Sequence, residues 1–145
     1  TAGGAARVDW TLAEKPDGMI LTLGANDMLR GIDPSVSEAN LRVILEAAND
    51  KGVEVLLVGM LASGNFGADF KTRFDEMYPT LAKDYGLLSS DSFFAGLGST
   101  DPSKVAALMQ ADGIHPNAKG VALIVQELGS DVMLLIERIE KNSTD

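Results

Sequence analysis

Short apolar runs alternate with longer amphipathic segments along this chain. The runs cover residues 19–23, 53–58 and 87–90, and each lies between turn-forming residues. Apolar residues recur at helical spacing between and after them, most regularly from Asn117 to Ile139. Strands that alternate with helices pair in parallel, because each helix returns the chain to the same edge of the sheet. The pattern therefore predicts an α/β fold with a doubly wound parallel sheet.

The predicted helix ends follow from local chemistry. Asp33 before Pro34 is typical of a helix start, since the carboxylate accepts from free amides and proline suits the first turn. The predicted helices cover residues 3–14, 33–52, 70–81 and 117–139, with one or two turns at 104–110 and a loop at 24–31. No repeat or linker interrupts these elements, so residues 1–145 are expected to form one domain.

Composition excludes several classes of protein. Apolar residues make up 46% of the 145 residues, which is enough for a buried core, and no apolar run approaches the ~18–20 residues of a membrane span. The net charge of −9 leaves no basic stripe for a nucleic acid. Because the chain has no cysteine, disulfides, thiolate metal sites and a cysteine nucleophile are excluded.

A first candidate site is the segment Gly24-Ala25-Asn26-Asp27, which directly follows the first predicted strand. In parallel sheets, loops at the carboxyl ends of strands build the active site. An asparagine amide there can stabilise a developing oxyanion. The alternative is that Asn26 and Asp27 only bond the turn, as these residue types often do.

A second candidate site is Asp112-Gly113-Ile114-His115-Pro116, just before the last predicted helix. His115 is the only histidine in the chain. A carboxylate three residues upstream can reach its Nδ1–H, which fixes the tautomer and leaves Nε2 free as a base. Proline after the histidine restricts its backbone. The alternative is an exposed loop histidine whose aspartate only forms the turn.

No other segment matches a catalytic or metal-binding motif. Ser92 follows a strand, but it lacks a preceding glycine and is followed by Phe93 and Phe94, which do not suit a nucleophile elbow. We interpret it as structural. The aspartates are not spaced like a calcium loop, and Gly96-Leu97-Gly98 lacks the third glycine of a dinucleotide fingerprint. The stripe of Phe66, Phe70 and Phe74 is predicted to be core.

The G-x-N-D segment at residues 24–27 and the D-x-x-H-P segment at 112–116, together and in this order, resemble the SGNH (GDSL-type) hydrolases. Within that family the chain is most similar to the bacterial arylesterase, thioesterase and lysophospholipase branch, including the substrate-side loop at 61–67. The resemblance covers the whole chain. It implies a three-layer α/β/α, flavodoxin-like fold and a serine ester hydrolase without metal or organic cofactor.

The resemblance also implies roles for individual residues. His115 is the base and then the acid, Asp112 is its orienting partner, and Asn26 is the side-chain donor of the oxyanion hole. Gly24 and Asn65 line the substrate pocket. Asp27 is assigned to the same substrate region and stabilises the loop that follows the first strand. The family's localisation favours a periplasmic or secreted protein, and the resemblance leaves room for a homo-oligomer.

The chain departs from the family pattern at its beginning. The G-D-S block that carries the nucleophilic serine, and the second block with its glycine, are absent, and Thr1-Ala2-Gly3-Gly4 resembles the stretch that follows them. We therefore expect an N-terminal fragment of the same protein to complete the sheet beside residues 19–23 and to supply the serine. The rival expectations are a non-catalytic α/β binding module and a carbohydrate acetyl esterase of the same fold.

Overall fold

The computed structural model describes residues 1–143. Its strands are β1 (Gly18–Leu21), β2 (Glu54–Val58) and β3 (Leu88–Ser90). Its α-helices are α1 (Ala2–Ala5), α2 (Val8–Leu12), α3 (Ala25–Leu29), α4 (Pro34–Asp50), α5 (Ala68–Tyr85), α6 (Pro102–Val105) and α7 (Ala118–Asn142). Short 3-10 turns cover Gly64–Phe66, Ala95–Leu97 and Ala106–Leu108.

The three strands form a parallel sheet in the order β1-β2-β3. Successive side chains of a strand point to opposite faces, so β2 contributes to two cores. Leu57 is fully buried with residues of α4 and α5 on one face, whereas Leu56 and Val58 pack with Leu135 of α7 on the other. Helices therefore cover both faces, which confirms the predicted three-layer α/β/α arrangement.

The direction of α7 determines where its preceding loop lies. Near its carboxyl end, Ile139 packs against Gly18, and Asn142 donates a hydrogen bond to Glu54, so this end of α7 lies at the amino ends of β1 and β2. Further back, Leu135 packs on the middle of β2. Asn117, which precedes α7, therefore lies towards the carboxyl ends of the strands.

Two predicted segments differ in detail from the structure. Residues 24–31, predicted as a loop, contain the short helix α3, which begins after Gly24 with its φ of 125°. Residues 3–14, predicted as one helix, form the separate helices α1 and α2 with a break at Ala6 and Arg7. Both elements have only four or five residues, so hydrophobic periodicity gives little information about them.

The long helices and the strands agree with the predictions within a few residues. Asp33 caps α4 by accepting from the Ser35 amide, and Pro34 occupies the first turn. Pro79 lies inside α5. Of the aromatic stripe predicted as core, Phe74 is fully buried, but Phe66 is 47% exposed. Within residues 1–143, none of the helices has the length and apolar character needed to span a bilayer.

Candidate active site

Asp112 and His115 are in direct contact. Oδ2 of Asp112 lies 2.7 Å from Nδ1 of His115, which is a short, charge-assisted distance. The His115 side chain is 69% exposed, so the other edge of the ring faces solvent. This arrangement keeps the Nδ1 proton on the carboxylate side and presents the Nε2 lone pair outwards. The contact that the three-residue spacing predicts is therefore present, and the role of His115 as a base stays a prediction.

The loop before α7 holds the pair in place. Oδ1 of Asp112 accepts from the backbone amides of Ile114, at 2.9 Å, and His115, at 3.0 Å. Gly113 has a φ of 67°, a conformation that glycine adopts without steric cost. The carbonyl of His115 accepts from the Gln110 amide at 2.7 Å. The imidazole is thus carried on a short turn that is bonded at both ends.

Hydrogen bonding also sets the charge of Asp112. The bonds from the His115 ring and from the His115 and Ile114 amides hold the pKa of the Asp112 carboxyl well below its usual range. These donors favour the ionised form because they stabilise a carboxylate more than a carboxylic acid. The ionised form of Asp112 is therefore the favoured one. It can stabilise an imidazolium at His115 without taking its proton.

Asn26 lies in the first turn of α3, directly after β1. It is exposed, and its side-chain amide forms no hydrogen bond with any of residues 1–143. The turn-bonding interpretation of Asn26 is therefore not supported by a side-chain contact in this part of the chain. An exposed, uncommitted amide is free to donate to a ligand.

Asp27 has the opposite environment to its neighbour. It is only 7% exposed, and Oδ2 accepts from the Ser37 hydroxyl of α4 at 2.8 Å, while Oδ1 lies 2.9 Å from the backbone nitrogen of Thr1. The Thr1 and Ser37 hydroxyls both donate to Oδ2, and these bonds favour the carboxylate form although burial opposes it. The carboxylate thus lies beneath the loop and joins α1, α3 and α4.

Gly24 is held against α5. A side chain at this position would collide with the Tyr78 hydroxyl, which donates to the carbonyl of Leu23 at 2.9 Å. Tyr78 is buried, and burial raises the pKa of its hydroxyl, so it is always a donor here. Gly24 is itself buried, so it lies behind the exposed surface on which Asn26 is found.

Asn65 lies in the segment that follows β2. It is exposed in the 3-10 turn Gly64–Phe66. Its neighbour Phe66 packs against Gly31, at the end of the segment 24–31 that carries Asn26, here called the Asn26 loop. The Asn26 and Asn65 loops are therefore adjacent. Both follow carboxyl ends of strands, the same end of the sheet at which the His115 loop lies. No hydrogen bond within residues 1–143 joins Asn26 or Asn65 to His115.

Ser92 is buried, in agreement with a structural role. It is 7% exposed, and its hydroxyl accepts from the Phe94 amide at 3.2 Å. Over residues 1–143, no cluster of three or more histidine, aspartate or glutamate side chains is placed to bind a metal ion. The Lys71–Asp75 ion pair on α5, which contacts the start of the Asn65 loop, was not predicted from the sequence. Its helical spacing is the only signal of it in the sequence.

Known proteins resemble this chain in sequence and in structure. Esterase TesA of Pseudomonas aeruginosa is 37% identical over 117 residues, which are 80% of this chain and 56% of that protein. The Escherichia coli K12 protein named thioesterase 1/protease 1/lysophospholipase L1 is 31% identical over 134 residues, 92% of this chain and 62% of that protein. The chain thus spans about three fifths of the length of these relatives.

Two solved structures have the same fold. The crystal structure of TesA superposes with a TM-score of 0.81 at 32% identity, over 92% of this chain and 72% of that one. An SGNH-hydrolase family esterase superposes with a TM-score of 0.70 at 34% identity, over 91% of this chain and 69% of that one. Residues 1–123 match the model of the GDSL-like lipase/acylhydrolase family. With this match the resemblance noted in the sequence is confirmed, and the chain belongs to the GDSL-like lipase/acylhydrolase family.

Proposed function

We propose that this chain carries the acid–base half of a serine ester hydrolase. The observation that supports the proposal best is the Asp112–His115 pair, with 2.7 Å between carboxylate and Nδ1 and with Nε2 facing solvent. A buried structural histidine would not present its second nitrogen outwards. This geometry is that of a general base whose tautomer is fixed by a carboxylate.

The proposed reaction proceeds in two acyl-transfer steps. Nε2 of His115 takes the proton of a serine hydroxyl while the serine oxygen bonds to the acyl carbon, and the carbonyl electron pair moves to oxygen. The Asn26 amide donates to this oxyanion. When the intermediate collapses, the leaving alcohol or thiol takes the proton from His115. In the second step water attacks the acyl carbon of the acyl-serine while His115 takes a proton from the water. The serine oxygen then leaves with that proton, and the carboxylic acid is released.

Acyl esters or thioesters are the proposed substrates. The related proteins are named as esterases, an arylesterase and a thioesterase/lysophospholipase. Several large apolar side chains are exposed on the segments that follow β1 and β2 or precede α7, where an acyl group would lie: Leu29, Leu61, Phe66 and Ile114. The names of the relatives favour catalysis over a non-catalytic binding module.

We infer that the nucleophilic serine lies outside these 145 residues. The Ser37 hydroxyl is committed to Asp27, and the Ser92 hydroxyl is bonded within its own turn. No serine or threonine hydroxyl of residues 1–143 bonds to His115. An N-terminal segment of the same protein, in the same polypeptide or as a separate fragment, is the proposed source.

The proposed binding surface for this segment is the free side of β1. Within the described sheet, β1 pairs with β2 on one side only, and a groove lined by β1, Arg7, Thr11 and Ile44 follows its other side. Ile20 is 48% exposed although it lies on the face that α7 covers elsewhere. An open apolar strand edge favours pairing with another strand.

Labelling with a fluorophosphonate probe tests the proposed function. In the protein that includes the segment, we expect an adduct on a serine of that segment and hydrolysis of p-nitrophenyl acetate. His115→Ala should abolish both reactions, because the serine is then not deprotonated. Asp101→Asn, which changes a partly exposed aspartate in a similar turn, is the control. Unchanged labelling and turnover in His115→Ala would refute the proposal.

A further inference from the structure

The segment that carries Asn65 has few internal bonds. Residues 61–67, between β2 and α5, include Ser63, two glycines and Asn65, and residues 63–69 are all exposed. Its own backbone bonds are confined to its end, where Gly67 donates to the Gly64 carbonyl at 3.1 Å. A loop of this composition has many accessible conformations, so external contacts must select the one it adopts.

A pair of charged side chains on α5 provides such a contact at the start of the loop. Oδ1 of Asp75 accepts from the Ala62 amide at 2.7 Å, and Nζ of Lys71 donates to the Ala62 carbonyl at 2.8 Å. Lys71 and Asp75 also form an ion pair one helical turn apart, so each orients the other. Both polar groups of one loop residue are thus bound by one charged pair.

The contact is partly sheltered from water. The Asp75 side chain is 22% exposed, and Ala62 is buried. Hydrogen bonds to charged groups are stronger than neutral ones, and partial burial reduces their competition with water. The Lys71–Asp75 pair therefore differs from the exposed Arg42–Asp84 pair, which joins α4 to the same helix without contacting a loop.

The same helix also holds the Asn26 loop. Tyr78 donates to the Leu23 carbonyl before that loop, and Arg73 donates to Asp33 after it, at 2.6 Å for the shorter bond. α5 is therefore the common support of both loops. The contact at Ala62 belongs to the Asn65 segment alone, so a change there acts on that segment rather than on the Asn26 loop.

We propose that Lys71 and Asp75 are positioning residues that fix the substrate loop 61–67, and with it Asn65, in the conformation that binds the acyl substrate. This inference rests on the proposed function, because it assumes that Asn65 faces substrate. It assigns the pair an effect on substrate binding rather than on the chemical step. A loop that samples other conformations binds substrate less often but reacts normally once it is bound.

Kinetics of Asp75→Leu and Lys71→Met in the serine-containing protein test this inference. For p-nitrophenyl butyrate we expect KM to rise about tenfold in Asp75→Leu and less in Lys71→Met, with kcat within about twofold of wild type. Amide exchange of Ala62, followed by NMR, should accelerate in Asp75→Leu because its acceptor is lost. Asp84→Asn is the control and should change neither quantity.

The outcomes separate the two proposals. If wild type hydrolyses no ester and forms no fluorophosphonate adduct, the proposed function fails. If wild type is active and Asp75→Leu keeps the wild-type KM, the positioning role is refuted, whatever the exchange rate of Ala62. A loss of kcat at unchanged KM would also refute it. If Asp75→Leu does not fold, as judged by circular dichroism, Lys71→Met decides by the same criteria.

Discussion

Asp112 receives hydrogen bonds from the Ile114 amide, the His115 amide and the His115 ring. The two amide bonds shape the turn, and the ring bond orients the imidazole, so a single carboxylate does both. Asparagine at 112 would keep an acceptor for the turn but would lose the charge. The two tasks can therefore be separated by one substitution.

We predict that Asp112→Asn lowers kcat in the serine-containing protein by about 10²–10⁴-fold, because the neutral amide neither fixes the productive tautomer nor stabilises the imidazolium. KM should change little. Steady-state kinetics with p-nitrophenyl acetate measures both, with Asp101→Asn as the control. A loss below tenfold would mean that Asp112 serves the turn alone.

The lowered pKa of Asp112 also has a consequence for folding. A carboxyl whose pKa is lower in the folded than in the unfolded chain stabilises the fold above the unfolded pKa of about 4. That stabilisation is lost as the pH falls from about 4 towards the folded pKa. In the same Asp112→Asn variant, the free energy of unfolding measured with urea should therefore fall less steeply with acidification below pH ~4 than in wild type.

At the scale of elements, what could be predicted from sequence depended on length and on local bonding. α7 has a long apolar period and a local cap at Asn117, and the prediction of 117–139 gives its start within one residue and its end within three. α3 was missed because its five residues include Asn26 and Asp27, which favour turns. The Asp112–His115 contact spans three residues and was predictable, whereas the contact of Asp75 with Ala62 depends on tertiary packing.

Asn117 connects α7 to the segment before it. Its Oδ1 accepts from the Lys119 and Gly120 amides, and its Nδ2 donates to the carbonyls of Ala107 and Met109. Its side chain thus satisfies two amides at the start of the helix and two carbonyls in the preceding turn. The His115 loop lies between Met109 and Lys119. Asn117 therefore bonds to the segments on both sides of this loop and fixes their relative position.

We predict that Asn117→Ala lowers the free energy of unfolding by about 1–2 kcal/mol, the usual cost of losing a helix cap. The lost bonds to Ala107 and Met109 place the expected value in the upper part of this range. Urea unfolding followed by circular dichroism measures it. Asn49→Ala, at an exposed site near the end of α4, is the control. Equal losses in the two variants would contradict the capping role.

At the scale of the whole molecule, the two faces of the sheet are covered unequally. α1, α2, α4 and α5 bury one face, whereas α7 covers the other, and on that face Ile20 remains exposed. α7 itself also carries exposed apolar side chains, among them Val125 and Ile136. Exposed apolar side chains beside β1 are expected if a further strand packs against this side of the sheet.

The proposed strand at β1 gives a prediction about backbone exchange. A strand bound by neighbours on both sides has all its amides engaged, whereas an edge strand has alternate amides open to water. We expect residues 18–23 to exchange hydrogen measurably more slowly when the serine-bearing segment is present than in the 145-residue chain alone.

Residues 54–58 of β2, already paired with β1 and β3, should change little and serve as the internal control. Hydrogen-exchange mass spectrometry resolves both peptides. Equal exchange of residues 18–23 in the two samples would show that the segment binds elsewhere, and the serine would then have to reach His115 by a route that does not extend the sheet.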